Sequence, residues 1–211
     1  MRSQLLFNSK GTDEKNKRRI FDGNSTNLIN LNNVRYEWAN RLYDSMRENI
    51  WIPKKIDLTG DINDYQNLTP TEKTAYDGVL SFLIFLDSIQ VQNIPHLKSP
   101  VTAPEVHICI SEQLSQEAMH AVSYQYIIES IIPVDKRQDI YDFWKTDKVL
   151  KERIEHITNT FQPFVDDETN EENYFKALVA DYALESLYFY NGFVMFYCLT
   201  SRHLMNGSAD I

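Results

Sequence analysis

A chain of 211 residues, 43% hydrophobic and 24% charged, is long enough to bury a substantial core and has the balance of one folded domain. Only 6 glycines favour long helices over a turn-rich β fold, and a formal charge of -9 without an offsetting basic stripe excludes nucleic acid as a direct partner. Met1 to Lys10 lacks the apolar core of a signal peptide, and the longest apolar stretch, Leu187 to Leu199, is interrupted by Asn191-Gly192 and too short for a membrane span. A soluble, cytoplasmic protein with no membrane partner is expected. Cys109 and Cys198 lie in apolar helical patterns without metal-type spacing, which predicts two buried thiols in a reducing compartment.

Residues 1–30 are polar, contain the run Lys15 to Arg19, and read as a mobile arm ahead of one helical domain over 31–211. Val34, Trp38, Leu42 and Met46 recur every four residues and predict a helix ending near Ile50-Trp51-Ile52-Pro53. Thr69-Pro70-Thr71-Glu72 is a helix start, with a hydroxyl cap, proline in the first turn and glutamate three residues on. The helix it opens is apolar on every side from Val79 to Ile89, so it is expected at the centre of the core. Thr102-Ala103-Pro104-Glu105 repeats the signal for a second long helix, running to about Ile131 and closed by Pro133. Two shorter helices are expected over 135–144 and 147–161. Thr169 and Glu172 form a third capping box before a last long helix, from Phe175 through Tyr190 and on to Tyr197.

Three of these helices each place an acid in an apolar middle: Asp87, Glu117 and Glu185. A buried carboxylate costs several kcal/mol unless a cation or hydrogen bonds compensate it. For Asp87 the ordinary alternatives are an arginine partner or a cap, but it sits mid-helix with no arginine near it in sequence. His120 follows Glu117 at i+3 and Tyr124 follows His120 at i+4, so carboxylate, imidazole and phenol leave one helix face. Oxygen-rich ligation with an imidazole suits iron or manganese, as in carboxylate four-helix bundles. The fold expected is therefore all-α, a ferritin-like carboxylate four-helix bundle.

These segments resemble the radical-generating small subunit of class I ribonucleotide reductase. Leu86-Asp87-Ser88-Ile89-Gln90 is similar to the family's first ligand segment. Glu117 to Tyr124 resembles its Glu-x-x-His-x-x-x-Tyr segment, and Ala183 to Tyr190 its fourth-helix ligand segment. The resemblance implies two iron or manganese ions held by Asp87, Glu117, His120 and Glu185. It also implies a stable radical on Tyr124, sealed by apolar residues such as Phe189 and Phe193, and electron transfer through Trp51. It implies a large catalytic subunit that reduces the nucleotide, and a homodimer of small subunits.

The family continues beyond Ile211 into a second Glu-x-x-His helix and a docking tail, so the bundle is expected to be incomplete at the C-terminus, with three carboxylates and one histidine against the family's four and two. Three readings follow: one piece of a split small subunit completed by a separate C-terminal fragment, an inactive truncation, or another di-metal carboxylate protein of the ferritin or oxygenase kind. Tyr124 argues against the last, since storage and oxygenase sites need no phenol there.

Overall fold

The computed structural model describes residues 5–211; the first four residues of the expected arm lie outside the described part. Among the described residues there is no β-strand, only a bridge between Phe21 and Val101. The α-helices are α1 (Glu37–Glu48), α2 (Thr59–Asn67), α3 (Pro70–Lys98), α4 (Pro104–Ile131), α5 (Arg137–Thr146), α6 (Lys148–Asp166), α7 (Glu171–Ala183), α8 (Phe189–Thr200) and the short α9 (Asn206–Ala209). A π-helical turn, Leu184–Tyr188, joins α7 to α8. Contacts group the residues into two units, and α3, α4, α6 and α7 each contribute to both.

The first unit takes the chain up to Ile50, Gln90–Gln116 and Phe161–Leu178. Its anchor is Glu105, in the first turn of α4. Arg18 Nη1 donates to Glu105 Oε2 at 2.7 Å, with both side chains buried, and the backbone N–H groups of Arg35 and Tyr36 donate to Oε1 at 3.0 and 3.2 Å. One carboxylate thus fastens part of the expected arm and the entry to α1. Thr102 adds a second tie, since its backbone N–H and its hydroxyl both donate to the Ile20 carbonyl. Glu105 is therefore spent on this junction rather than on the capping box expected with Thr102. The expected apolar stripe of α1 is only partly the buried face: Val34 is buried ahead of the helix and Met46 packs on the core, but Trp38 and Leu42 are exposed, while Ala39 is fully enclosed beside Val101, Ala103, Val106 and Cys109. The small side chain goes inward because it permits close approach of the helix backbone. At α7 the cap is Asn170, whose Oδ1 accepts from the Asn173 N–H at 3.0 Å, whereas Thr169 bonds to Asp167 and Glu172 pairs with Lys176.

The second unit comprises Trp51–Ile89, Glu117–Thr160 and Val179–Ile211. Here the start of α3 is as expected: the Thr69 N–H donates to Glu72 Oε2 at 2.8 Å and the Glu72 N–H donates back to Thr69 Oγ1 at 3.3 Å. By length and composition α3 could cross a membrane, but Tyr76, Leu80, Leu83 and Leu86 are wholly buried in the protein. The α3 segment in this unit packs against several neighbours, with Phe82 against Tyr188, Phe85 against Trp144 of α5, and Tyr76 against Phe196 of α8. Two acids of α2 serve the start of α9. Asp61 accepts from the Gly207 and Ser208 N–H groups and from the Ser208 hydroxyl, and Asp64 accepts from the Met205 N–H. The Tyr76 hydroxyl donates to Ser208 Oγ at 2.7 Å, extending that chain into the core. Of the two cysteines Cys109 is buried and Cys198 exposed, so the expectation of two buried thiols is corrected: Cys198 falls on the outward side of α8.

Candidate metal centre

Asp87 stands mid-helix in α3, fully buried, and neither carboxyl oxygen has a hydrogen-bond partner. An unpaired buried carboxyl of this kind costs the full desolvation of its oxygens. Burial, then the nearby charges of Glu117 and Glu185, hold it well above the usual carboxylate range. Glu117 and His120 face it from α4, where their i, i+3 spacing stacks them on one side of the helix. His120 Nδ1 lies 3.3 Å from Glu117 Oε2, and one ligand atom from each of Asp87, Glu117 and His120 lies within 4.8 Å of the other two.

Glu185 reaches the same neighbourhood from the π turn and is half-buried, where full burial in an apolar helix had been expected. A π turn adds a residue to one helical turn and redirects the side chain it carries, a device frequent at functional sites. No feature of the sequence marks it. Tyr124 follows His120 by one turn and is buried; burial first, then Asp87, Glu117, Glu185 and Tyr197, pushes its phenol well above the ordinary range. A phenol in such a place stays protonated. Phe189 is buried too, with its ring stacked 6.1 Å from that of Phe193. The indole of Trp51 lies on the imidazole of His120, and its N–H is buried without a partner. That stack is not legible in the sequence, where the two rings are 69 positions apart.

The residues fit a divalent cation. Two orphaned oxygens of a buried acid, a second buried acid and an imidazole point at one another, with a third acid in electrostatic reach. Oxygen donors with an imidazole match iron or manganese in a helical carboxylate site. Fold and site together define the class: an all-α, ferritin-like protein with a carboxylate–histidine cluster able to hold a metal ion, beside a buried tyrosine.

The chain belongs to the ribonucleotide reductase small-chain family, whose model, "Ribonucleotide reductase, small chain", matches residues 28–211. It is 43% identical over 210 residues to the ribonucleoside-diphosphate reductase subunit beta of Treponema pallidum, covering 100% of this chain and 60% of that protein. The subunit beta of Aquifex aeolicus is 45% identical over 209 residues, covering 98% of this chain and 30% of that one. The ribonucleotide reductase R2 subunit from Clostridium botulinum superposes with a TM-score of 0.94 at 37% identity, over 99% of this chain and 65% of that structure. The chain therefore spans less than two thirds of the length of these relatives.

Proposed function

We propose that this chain serves in the small subunit of a ribonucleoside-diphosphate reductase, in the cytoplasm, holding two iron or manganese ions through Asp87, Glu117, His120 and Glu185. Tyr124 is the residue oxidised to a radical, and a large catalytic subunit uses that radical to reduce the nucleotide. The observation that carries the reading is Asp87: a buried acid with both oxygens unpaired, grouped with Glu117 and His120 within 4.8 Å.

A metal pair bound here and oxidised by dioxygen would supply a one-electron oxidant, and Tyr124, a protonated phenol, would give up its proton to a base of the ligand sphere together with that electron. The chain's own residues do the rest. Asp87, Glu117 and Glu185 bring the negative charge that offsets the cations, and the low-dielectric surroundings strengthen that attraction. His120 presents an imidazole on the same face. Burial keeps water and reductants from the Tyr124 ring. Trp51, stacked on His120, provides an aromatic contact from the ligand sphere towards the segment before α2.

Three carboxylates and one imidazole are fewer ligands than two ions take in carboxylate bundles. We infer that the set is completed by polypeptide equivalent to the part of the relatives this chain does not span. A second small subunit is the other expected partner. The test is electron paramagnetic resonance of the ferrous-loaded chain after exposure to oxygen, mixed with the remaining portion of the Treponema relative. A tyrosyl signal that vanishes in Tyr124→Phe while metal binding persists is expected. A signal surviving that substitution, or none in the unsubstituted mixture, contradicts the assignment.

A further inference from the structure

The candidate centre needs two acids from different helices, Asp87 on α3 and Glu185 on the turn before α8, to face the same cations. Like charges push apart, so packing elsewhere must set the spacing of the two helices. Gly192, buried in α8, lies where α8 meets α3. A Cβ placed on it would fall 2.7 Å from Leu83 Cδ2, 3.2 Å from its Cγ and 3.4 Å from its Cδ1. Leu83 is fully buried, as are Leu80 and Leu86 on its own helix, so any shift of its side chain is taken up inside the core. It precedes Asp87 by four residues, one turn of α3. Two other helical glycines of this unit are looser: Gly60 would meet nothing within 4 Å, and Gly78 would come no nearer than 3.2 Å to the ring of Phe143 in α5; Gly207 in α9 is tight as well, but against the Asp57 carbonyl at 2.6 Å rather than against a ligand-bearing helix. Glycine weakens a helix interior relative to alanine, so its use in α8 is accounted for by this close approach.

We propose that Gly192 is a positioning residue for the metal centre: its missing side chain seats α8 directly on Leu83, and that seat fixes how near Glu185 comes to Asp87. The proposal rests on the metal-centre reading above. Adding a methyl group at 192 must displace α8 or Leu83 one turn from a ligand, and metal sites are sensitive to small displacements of the groups that orient their ligands.

Cobalt(II) titration of the chain, followed by the visible absorption of the bound ion, tests it. Gly192→Ala is expected to bind cobalt about tenfold more weakly, with a changed absorption envelope. Removing the opposing bulk in Gly192→Ala/Leu83→Ala is expected to restore the envelope and bring affinity back to within about threefold, whereas Gly60→Ala leaves both unchanged. A folded Gly192→Ala that binds cobalt with the original affinity and spectrum overturns the proposal. Where the single variant does not fold, the double variant decides: recovered binding supports the proposal, and a folded double variant without recovery overturns it. Failure of the underlying reading looks different. The unsubstituted chain would then bind no cobalt, or Asp87→Ala would bind it as well as the unsubstituted chain does, and the positioning role falls with it.

Discussion

The ring of Trp51 lies face to face with that of His120, centroids 5.1 Å apart and planes 13° from parallel. A metal-bound imidazole would therefore sit against one of the chain's 3 tryptophans. Manganese(II) loading should quench tryptophan emission, and Trp51→Phe should remove most of that quenching. Phenylalanine keeps a ring face, and aromatic pairs contribute about 0.5–1.5 kcal/mol, so metal affinity should fall by no more than about threefold. Fluorescence titration of both proteins checks this. Quenching of equal depth in Trp51→Phe would contradict the placement of the ion.

Asp87 makes the metal-free protein less stable than it need be, because its carboxyl is buried without a partner. Asp87→Val should stabilise the metal-free chain by about 1–2 kcal/mol, as apolar replacements of buried ionisable groups often do. The same substitution should abolish any rise in stability on adding metal. Urea unfolding midpoints with and without manganese(II) give both quantities. A destabilised metal-free Asp87→Val would show that the carboxyl has compensation elsewhere.

The parts of the site readable in the sequence are those that break a local rule. Asp87 and Glu117 announce themselves because each sits in a helix too apolar to tolerate a bare acid, and His120 and Tyr124 follow from helical spacing alone. Thr69 and Glu72 form the expected box because no buried partner draws Glu72 away from the helix start; one of its oxygens takes both Thr69 donors while the other pairs with Arg202. Thr102 and Glu105 have the same spacing, yet burial gave Glu105 a stronger use with Arg18 and two backbone donors. The stripe on α1 misleads for a related reason: Trp38 and Leu42 satisfy the periodicity, but tight packing selects Ala39. The π turn under Glu185, and the stacking of Trp51 on His120, depend on tertiary contacts that no local pattern encodes.

Glu105 should be the most sensitive residue of the first unit. Its side chain is fully buried and serves Arg18, Arg35 and Tyr36 at once. Breaking a buried ion pair by removing one partner costs about 3–5 kcal/mol. Glu105→Ala should lower stability by that order in urea unfolding. Arg18→Met, which leaves the Glu105 carboxylate with its two backbone donors, should cost less. Equal losses in the two variants would mean that the backbone donors contribute nothing.

Acid stability should depend on Glu72. Its bond from Arg202, then those from the Thr69 backbone and hydroxyl, draw its carboxyl down to about 2 from an ordinary 4.5. A lowered folded-state value means the group stabilises the fold above pH 4.5 and loses that contribution as pH falls towards about 2. The unsubstituted chain should therefore lose more stability across that window than Glu72→Gln does. Because the pair is near the surface, added salt should narrow the difference. Parallel acid titrations monitored by far-ultraviolet circular dichroism report it.

The central claim is that Asp87, Glu117, His120 and Glu185 together hold divalent metal. Manganese(II) gives a free-ion paramagnetic resonance signal that disappears on binding, so titration against the chain measures affinity directly. The unsubstituted chain should bind, and Asp87→Ala, Glu117→Ala and His120→Ala should each weaken binding by about tenfold or more, while Asp166→Ala leaves it unchanged. Binding indifferent to all three substitutions, or no binding by the unsubstituted chain, would contradict the claim.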